Sequence, residues 1–203
     1  MHTLRERFDV RAEDDVAEGW EDNWRTFHHG VVVGRFWVGP PWEERPAGVE
    51  AIVIDPGRAF GTGAHPTTRL TLALLQEQQW GSLLDAGCGS GVLSIAAAKL
   101  GFAPLLAVDV DSVAVEVTRE NGRANDVEID ARVCDALTDE LPSVELIVAN
   151  VALGVVESLL ARAPSARVIT SGYLERDEPR VAGWRTLDRR VDGGWAADLL
   201  ERA

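Results

Sequence analysis

The sequence predicts an α/β fold in which a mostly parallel sheet carries helices on both faces and includes an antiparallel C-terminal strand. From residue 83 onward, apolar runs of strand length alternate with runs that have helical spacing. Within this pattern a glycine-rich turn, in the stretch 83–91 (LLDAGCGSG), separates an apolar strand from an Ala- and Leu-rich helix. Because parallel strands need crossover connections, this alternation requires helices on both sides of the sheet.

The chain before this alternation is predicted to differ from the rest. We expect residues 1–50 to form a short appendage and linker, and residues 51–203 to form one larger domain. An acidic stretch that contains two Trp residues, 12–27, fits a short amphipathic helix. The β-branched and aromatic stretch GVVVGRFWV, 30–38, predicts a strand that bends near Gly34.

The larger domain is predicted element by element from its apolar runs. Strands are expected at 50–55, from 83 to the glycine turn, and at 105–110, 127–136, 144–151 and 166–173. Helices are expected at 70–80, with Thr67 or Thr68 near the start, and at 92–101, 112–125 and 152–163. The stretch 175–183 predicts a short helix at most. The runs 184–191 and 194–203, joined at Asp192–Gly193, predict a closing antiparallel pair.

Composition narrows the classes of function. The net charge of −13 argues against broad contact with a nucleic-acid backbone and is compatible with a basic protein as partner. No apolar run is long enough to cross a bilayer, and the charged N-terminus lacks a signal core, so we expect a cytoplasmic protein. The two cysteines are expected to be reduced, inert thiols, and no His/Cys cluster indicates a metal.

The glycine turn indicates a bound ligand, and its spacing indicates which one. Gly87, Gly89 and Gly91 alternate after Asp85, whereas a dinucleotide fingerprint needs G-x-G-x-x-G and fails at its third position. A turn without a ligand is the alternative. The pattern resembles motif I of class I S-adenosylmethionine (SAM) methyltransferases, which have a Rossmann-like seven-stranded sheet. The resemblance therefore implies that these glycines bind SAM.

Polar residues follow three apolar strands, at the sheet edge where doubly wound folds bind ligands. Asp109 can accept hydrogen bonds from both ribose hydroxyls of a nucleoside, because an ionised carboxylate only accepts. Asp135 and the backbone of Ala136 are placed to meet an adenine edge. Asn150 is placed where a methyl donor and its acceptor would meet. The alternative for the two acids is a solvated strand end or a helix N-cap.

Several longer segments resemble the ribosomal protein L11 methyltransferase (PrmA) family. They are DPGRAFGTGAHPTTRLTL (55–72), LLDAGCGSGVLSIAAAKLG (83–101), AVDVD (107–111), LIVANVALG (146–154) and the preceding GRFWVGPPWEERPAG (34–48). The most specific part is AFGTGAHPTT. The resemblance implies SAM held by Thr68, Gly87, Asp109 and Asn150. It further implies an FGTG loop, made of Phe60, Gly61, Thr62 and Gly63, that closes over the methionine part of the cofactor.

One difference from typical members concerns the substrate. Typical members carry an additional N-terminal domain that recognises the ribosomal protein, whereas here fewer than 50 residues precede the catalytic pattern. We therefore expect the usual recognition domain to be lacking.

The expected function is methyl transfer from SAM to an amine, on a protein lysine or α-amine. Asn150 is the candidate catalytic residue, because its side-chain or backbone carbonyl could orient the amine. The Val-Ala-Leu that follows it is unlike the Pro-Pro-aromatic of enzymes that methylate nucleic-acid bases or glutamine. His65 could act as a base or could brace its loop. A small-molecule methyltransferase and a SAM-binding protein without turnover are the alternatives.

Overall fold

The computed structural model describes residues 29–55, 61 and 63–203, so the helix expected at 12–27 lies outside the described residues. The strands are β1 (Val31–Val33), β2 (Phe36–Gly39), β3 (Glu50–Val53), β4 (Leu83–Ala86), β5 (Leu105–Asp109), β6 (Asp130–Val133), β7 (Leu146–Asn150), β8 (Arg167–Leu174), β9 (Trp184–Asp192) and β10 (Trp195–Arg202). The helices are α1 (Pro66–Leu75), α2 (Val92–Leu100), α3 (Ser112–Ala124) and α4 (Leu153–Arg162).

The seven-stranded sheet has the order β6-β5-β4-β7-β8-β10-β9. Neighbouring strands from β6 to β8 are parallel, and β10 runs antiparallel to both β8 and β9. The predicted fold class is therefore confirmed. From β4 the chain winds outward through β5 to β6 and then returns to β7. The strand order thus reverses between β4 and β7, and this is where doubly wound sheets bind ligands.

Successive strand residues point to opposite sides of the sheet, and a separate apolar core covers each face of its central strands. Leu83 packs into a core with α1, α2, α3 and the three-stranded sheet β1-β2-β3. Its neighbour Leu84 packs into a second core with α4 on the other face. The small sheet shares the first core through Phe36 and Ile52, both fully buried. The boundary expected at residue 50 stays a prediction.

The prediction of one bent strand over 30–38 is wrong. The chain instead forms a tight hairpin, in which Val33 pairs with Phe36 across a two-residue turn at Gly34 and Arg35. Gly34 has φ +58°, a left-handed conformation that glycine adopts without a steric penalty and that suits two-residue hairpin turns. Strand β3 then adds to β2 in parallel.

Some boundaries also differ from those expected. Helix α1 begins at Pro66 and ends at Leu75, whereas the pattern indicated 70–80. Its earlier start is explained by His65, which supplies the N-cap. The strand expected at 127–136 is limited to β6, and 175–183 forms no helix. The closing antiparallel pair is present as β9 and β10. Within the described ranges, no helix is long and apolar enough to cross a membrane.

One buried side chain ties the small sheet to helix α3. Asn125, at the C-terminal end of α3, accepts a hydrogen bond from the Val53 N–H (2.7 Å) and donates to the Val53 carbonyl (2.7 Å). It also donates to the Asn121 carbonyl at 2.8 Å. Since β3 is an edge strand, the Asn125 amide satisfies backbone groups that would otherwise lack a strand partner.

We predict that Asn125→Ala lowers the free energy of unfolding by about 1–3 kcal/mol, because it leaves half-buried backbone groups of Val53 without their hydrogen-bond partner. Urea denaturation measures this change. Gln79→Ala, which removes an exposed amide side chain, is the matched control and should leave stability nearly unchanged. Equal effects of the two substitutions would contradict the prediction.

Candidate active site

The glycine turn between β4 and α2 is held in a left-handed conformation. Gly87, Gly89 and Gly91 have φ of +84°, +52° and +79°, which residues with a Cβ rarely adopt. The N–H groups of Gly87 and Cys88 both donate to the Val108 carbonyl of the next strand, at 2.8 and 3.0 Å. The turn is therefore fixed to β5, and its backbone opens toward the switch in strand order.

A cavity of about 530 Å³ lies at the carboxyl ends of β4, β5 and β7. Its volume is within the range of roughly 300–1,000 Å³ that small-molecule sites occupy. The predicted site residues that line it are Gly61, Thr68, Gly87, Gly89, Asp109, Asp135, Ala136 and Asn150. The fold thus brings together residues that lie almost 90 positions apart in the chain.

Four predicted residues are placed elsewhere or cannot be placed. Gly91 is not among the lining residues; a Cβ there would come within 3.0 Å of Thr118, so this glycine permits close packing of α2 on α3. Gly63 likewise packs on Val38 of β2, whose Cγ1 would be 2.3 Å from an added Cβ. Phe60 and Thr62 lie outside the described residues.

The carboxylate of Asp109 is oriented by two backbone N–H groups. Gly89 donates to one oxygen at 3.1 Å and Asp111 donates to the other at 3.0 Å. A carboxylate has about four acceptor positions, so each oxygen keeps capacity for a further donor. Because Asp109 also lines the cavity, this geometry suits recognition of a pair of hydroxyl groups.

Asp135 lies at the cavity but also makes local contacts. Its Oδ1 accepts from the Leu137 N–H at 2.9 Å, and its own N–H donates to Asp139 at 2.9 Å. This contact stabilises a turn; it is neither the solvated strand end nor the helix N-cap given as the alternatives, since residues 136–138 form a turn and no helix. The Ala136 carbonyl accepts from Arg162 at 2.7 Å. The contacts of Asp135 therefore account for one carboxylate oxygen and leave its role toward a ligand a prediction.

Asn150 meets Thr68 across the cavity. The Asn150 amide nitrogen is 3.5 Å from Thr68 Oγ1, and Thr68 is fully buried in α1. The next helix, α4, has Ala152 as its N-cap and no side-chain cap bond. Asn150 therefore does not cap α4, and its side chain is directed to the same site as Thr68.

His65 braces the segment before α1. Its Nδ1 lies 2.8 Å from Thr67 Oγ1 and caps the helix, and its ring packs edge-on against Trp195 with 4.8 Å between centroids. Burial, and then the charge of Arg69, lower the pKa of His65. Arg69 itself pairs with Asp192 at the tip of the β9–β10 hairpin. These contacts support the bracing role rather than that of a base, and His65 is not among the lining residues.

Two features of the site escaped the sequence analysis. Ser90 Oγ donates to the Gly61 carbonyl at 2.6 Å and so ties the glycine turn to the loop before α1. Asp85 is fully buried; one oxygen accepts from Ser94 Oγ at 2.6 Å, and the other has no hydrogen-bond partner in the described part of the chain. Burial, with a smaller contribution from the charge of Asp109, raises the pKa of Asp85 to about 6. The Ser94 hydrogen bond partly opposes this shift.

The raised pKa of Asp85 predicts a pH dependence of stability. An acid whose folded-state pKa lies above its ordinary value of 3.8 is stabilising when protonated, and this contribution is lost as the pH rises from about 4 to about 6. The loss amounts to about 3 kcal/mol. Asp85→Asn, which cannot ionise, should match the unaltered protein near pH 4 and exceed its unfolding free energy at pH 7. Denaturation curves that differ by the same amount at both pH values would contradict this.

The strand order, the reversed β10 and a glycine turn that opens on the cavity together define the class I methyltransferase type of protein. In agreement with this, residues 2–197 match the family "Ribosomal protein L11 methyltransferase (PrmA)", and the chain belongs to that family. The predicted family is therefore confirmed.

Individual relatives agree with this assignment. The chain is 39% identical to the ribosomal protein L11 methyltransferase of Syntrophomonas wolfei over 85% of its length, and 35% identical to that of Myxococcus xanthus over 95%. It spans 59% of the first protein and 72% of the second. The crystal structure of ribosomal protein L11 methylase from Lactobacillus delbrueckii subsp. bulgaricus superimposes with a TM-score of 0.77 at 27% identity, covering 86% of this chain and 98% of that one.

Proposed function

We propose that this protein transfers a methyl group from SAM to an amine nitrogen of a protein, with a basic ribosomal protein as the acceptor. One observation carries the proposal: Asn150 and Thr68 meet at the same cavity that Gly87 and Asp109 line. A site of this kind offers a place for a nucleoside cofactor and, beside it, a polar group for the acceptor.

The residues at the cavity fit SAM. The glycine backbone can approach a ligand closely, and the first residues of α2, Val92 and Leu93, also line the cavity at the positive end of the helix dipole. The oriented carboxylate of Asp109 matches the ribose hydroxyls, and the lining is otherwise largely apolar, as an adenine ring requires. When bound, SAM supplies a methyl group on a sulfonium, already activated for in-line attack.

Because the methyl group of SAM is already activated, the side chains of the protein serve mainly to orient the two reactants. The protein must hold the acceptor nitrogen in line with the methyl group, and such orientation accounts for much of the rate enhancement in reactions of this type. An amine must first lose its proton, and an enclosed site lowers an amine pKa because it disfavours the charged form. We infer that the Asn150 oxygen accepts a hydrogen bond from that amine and thereby orients its lone pair.

The names of the relatives and the charge of the chain support the choice of acceptor. The relatives are named as methyltransferases of ribosomal protein L11. The net charge of −13 favours association with a basic protein. A cytoplasmic location and an appendage over residues 1–50 stay predictions.

The proposal is tested by incubating the protein with labelled SAM and either purified ribosomal protein L11 or cell lysate. Label in L11 would support the full proposal. Label only in the small-molecule fraction would support a small-molecule methyltransferase instead. Binding of SAM without transfer of label would support a cofactor-binding protein without turnover.

We predict that Asp109→Ala weakens SAM binding roughly ten- to hundredfold, because hydrogen bonds to a charged acceptor contribute about 1.5–3 kcal/mol. Isothermal titration calorimetry with S-adenosylhomocysteine measures this change. Asp130→Ala, which removes an exposed carboxylate at the start of β6, is the control and should bind as the unaltered protein does. An unchanged dissociation constant for Asp109→Ala would remove this carboxylate from the site.

Asn150→Ala should lower the rate of methyl transfer by about a hundredfold, because misplacement of the reacting atoms has effects of that size. Its melting temperature should change little, since Asn150 does not cap α4. Both quantities are measured on the same preparation. Asn125→Ala is the converse control and should lose stability but keep the activity of its folded fraction. Activity of Asn150→Ala that follows only the folded fraction would contradict the assigned role.

A further inference from the structure

Gly172 in β8 contacts the backbone immediately after Asn150. A Cβ at position 172 would lie 2.2 Å from the Val151 carbonyl oxygen, 2.6 Å from its carbon and 2.9 Å from its nitrogen. All three are backbone atoms, so no side-chain rotation could relieve the overlap. Gly172 also has φ +101°, which side-chain-bearing residues rarely adopt. Only glycine therefore lets the Val151 peptide lie against β8 in this way.

The other side of Val151 meets the glycine turn. A Cβ at Gly87 would lie 2.6 Å from Val151 Cγ1 and, apart from its chain neighbours, would meet no other heavy atom of the described residues within 4 Å. The Val151 N–H donates to the Ser171 carbonyl at 3.0 Å, and Val151 also lines the cavity. Val151 is thus enclosed between the turn expected to hold the cofactor and the strand that supports the acceptor side.

We propose that Gly172 is a positioning residue for methyl transfer: by admitting the Val151 peptide, it fixes the backbone that presents Asn150 to the cavity. The inference rests on the proposed function, since it concerns the same site. Asn150 and Val151 are consecutive, and a shift of the Val151 peptide must move the end of β7. The distance between the glycine turn and Asn150 is then set by the Val151 side chain on one side and by Gly172 on the other.

A second glycine with positive φ, Gly183, makes it possible to distinguish the collision with Val151 from the backbone strain that any substitution at a positive φ causes. Gly183, with φ +83°, has open space around the position of a Cβ, with no heavy atom of the described residues within 4 Å. Substitution by Ala there imposes similar backbone strain without a collision. Gly183→Ala is therefore a matched control for Gly172→Ala.

The experiment first measures S-adenosylhomocysteine binding and methyl transfer by the unaltered protein. If the unaltered protein neither binds S-adenosylhomocysteine nor transfers a methyl group, the proposed function is wrong, and this result is independent of the glycine variants. If it does both, Gly172→Ala is expected to lower kcat by about a hundredfold, as misplaced reacting atoms do. The dissociation constant for S-adenosylhomocysteine should change much less, and Gly183→Ala should keep kcat near that of the unaltered protein.

A spectroscopic readout distinguishes positioning from loss of stability. The side-chain amide signals of Asn150, assigned by their absence in Asn150→Ala, should move in ¹⁵N spectra of Gly172→Ala and not in those of Gly183→Ala. Equal kcat values for the two glycine variants, after correction for the folded fraction, would overturn the inference, as would unmoved Asn150 signals in Gly172→Ala.

If Gly172→Ala does not fold, Val151→Ala provides the test. This substitution removes Val151 Cγ1, which packs against Gly87, and leaves the Val151 peptide next to Gly172. It therefore adds no atom at position 172 that could overlap with that peptide. We expect it to lower kcat and to shift the Asn150 amide signals while the protein stays folded. An unchanged kcat in Val151→Ala would overturn the inference.

Discussion

The left-handed turn after β4 is the constraint on which the rest of the site depends. Directly after Ala86, Gly87 adopts a positive φ that only glycine adopts readily. The Val108 carbonyl fixes this turn by accepting two hydrogen bonds, from the N–H groups of Gly87 and Cys88. Because of this turn, the Gly89 N–H reaches Asp109 and the Ser90 hydroxyl reaches the Gly61 carbonyl. One local conformation thus orients the acid at the end of β5 and also ties the loop before α1 to the turn.

Much of the fold could be predicted from the sequence because the central parallel strands, β4 and β7, are buried on both faces. Such strands appear as short apolar runs, and the polar residue after each run marks the carboxyl edge of the sheet. That reasoning predicted Asp109 and Asn150 at one cavity, whereas Thr68 was grouped with them only through the family resemblance, and the fold brings its side chain next to Asn150. The antiparallel closing pair was also predictable from the glycines between its two runs: Asp192 pairs with Trp195, and Gly193 and Gly194 form the two-residue turn with positive φ.

The features that escaped prediction depend on contacts between distant parts of the chain. The β-branched composition of the run 30–38 is compatible both with one long strand and with two short strands of a tight hairpin. Only the strand pairing decides between the two structures. Nothing in the local sequence shows that Asn125 bonds to Val53, 72 positions away. The third glycine of the turn looked equivalent to the other two, yet Gly91 is required by the approach of Thr118.

The position of β10 between β8 and β9 has a consequence for how the protein matures. Strand β9 precedes β10 in the chain, yet within the described residues its only strand neighbour is β10, so the sheet edge cannot form until residues 195–202 have been synthesised. The same segment carries Trp195, which packs against His65 at the start of α1. His65, three residues before Thr68, therefore acquires this contact late in translation, after all the residues that line the cavity have been synthesised.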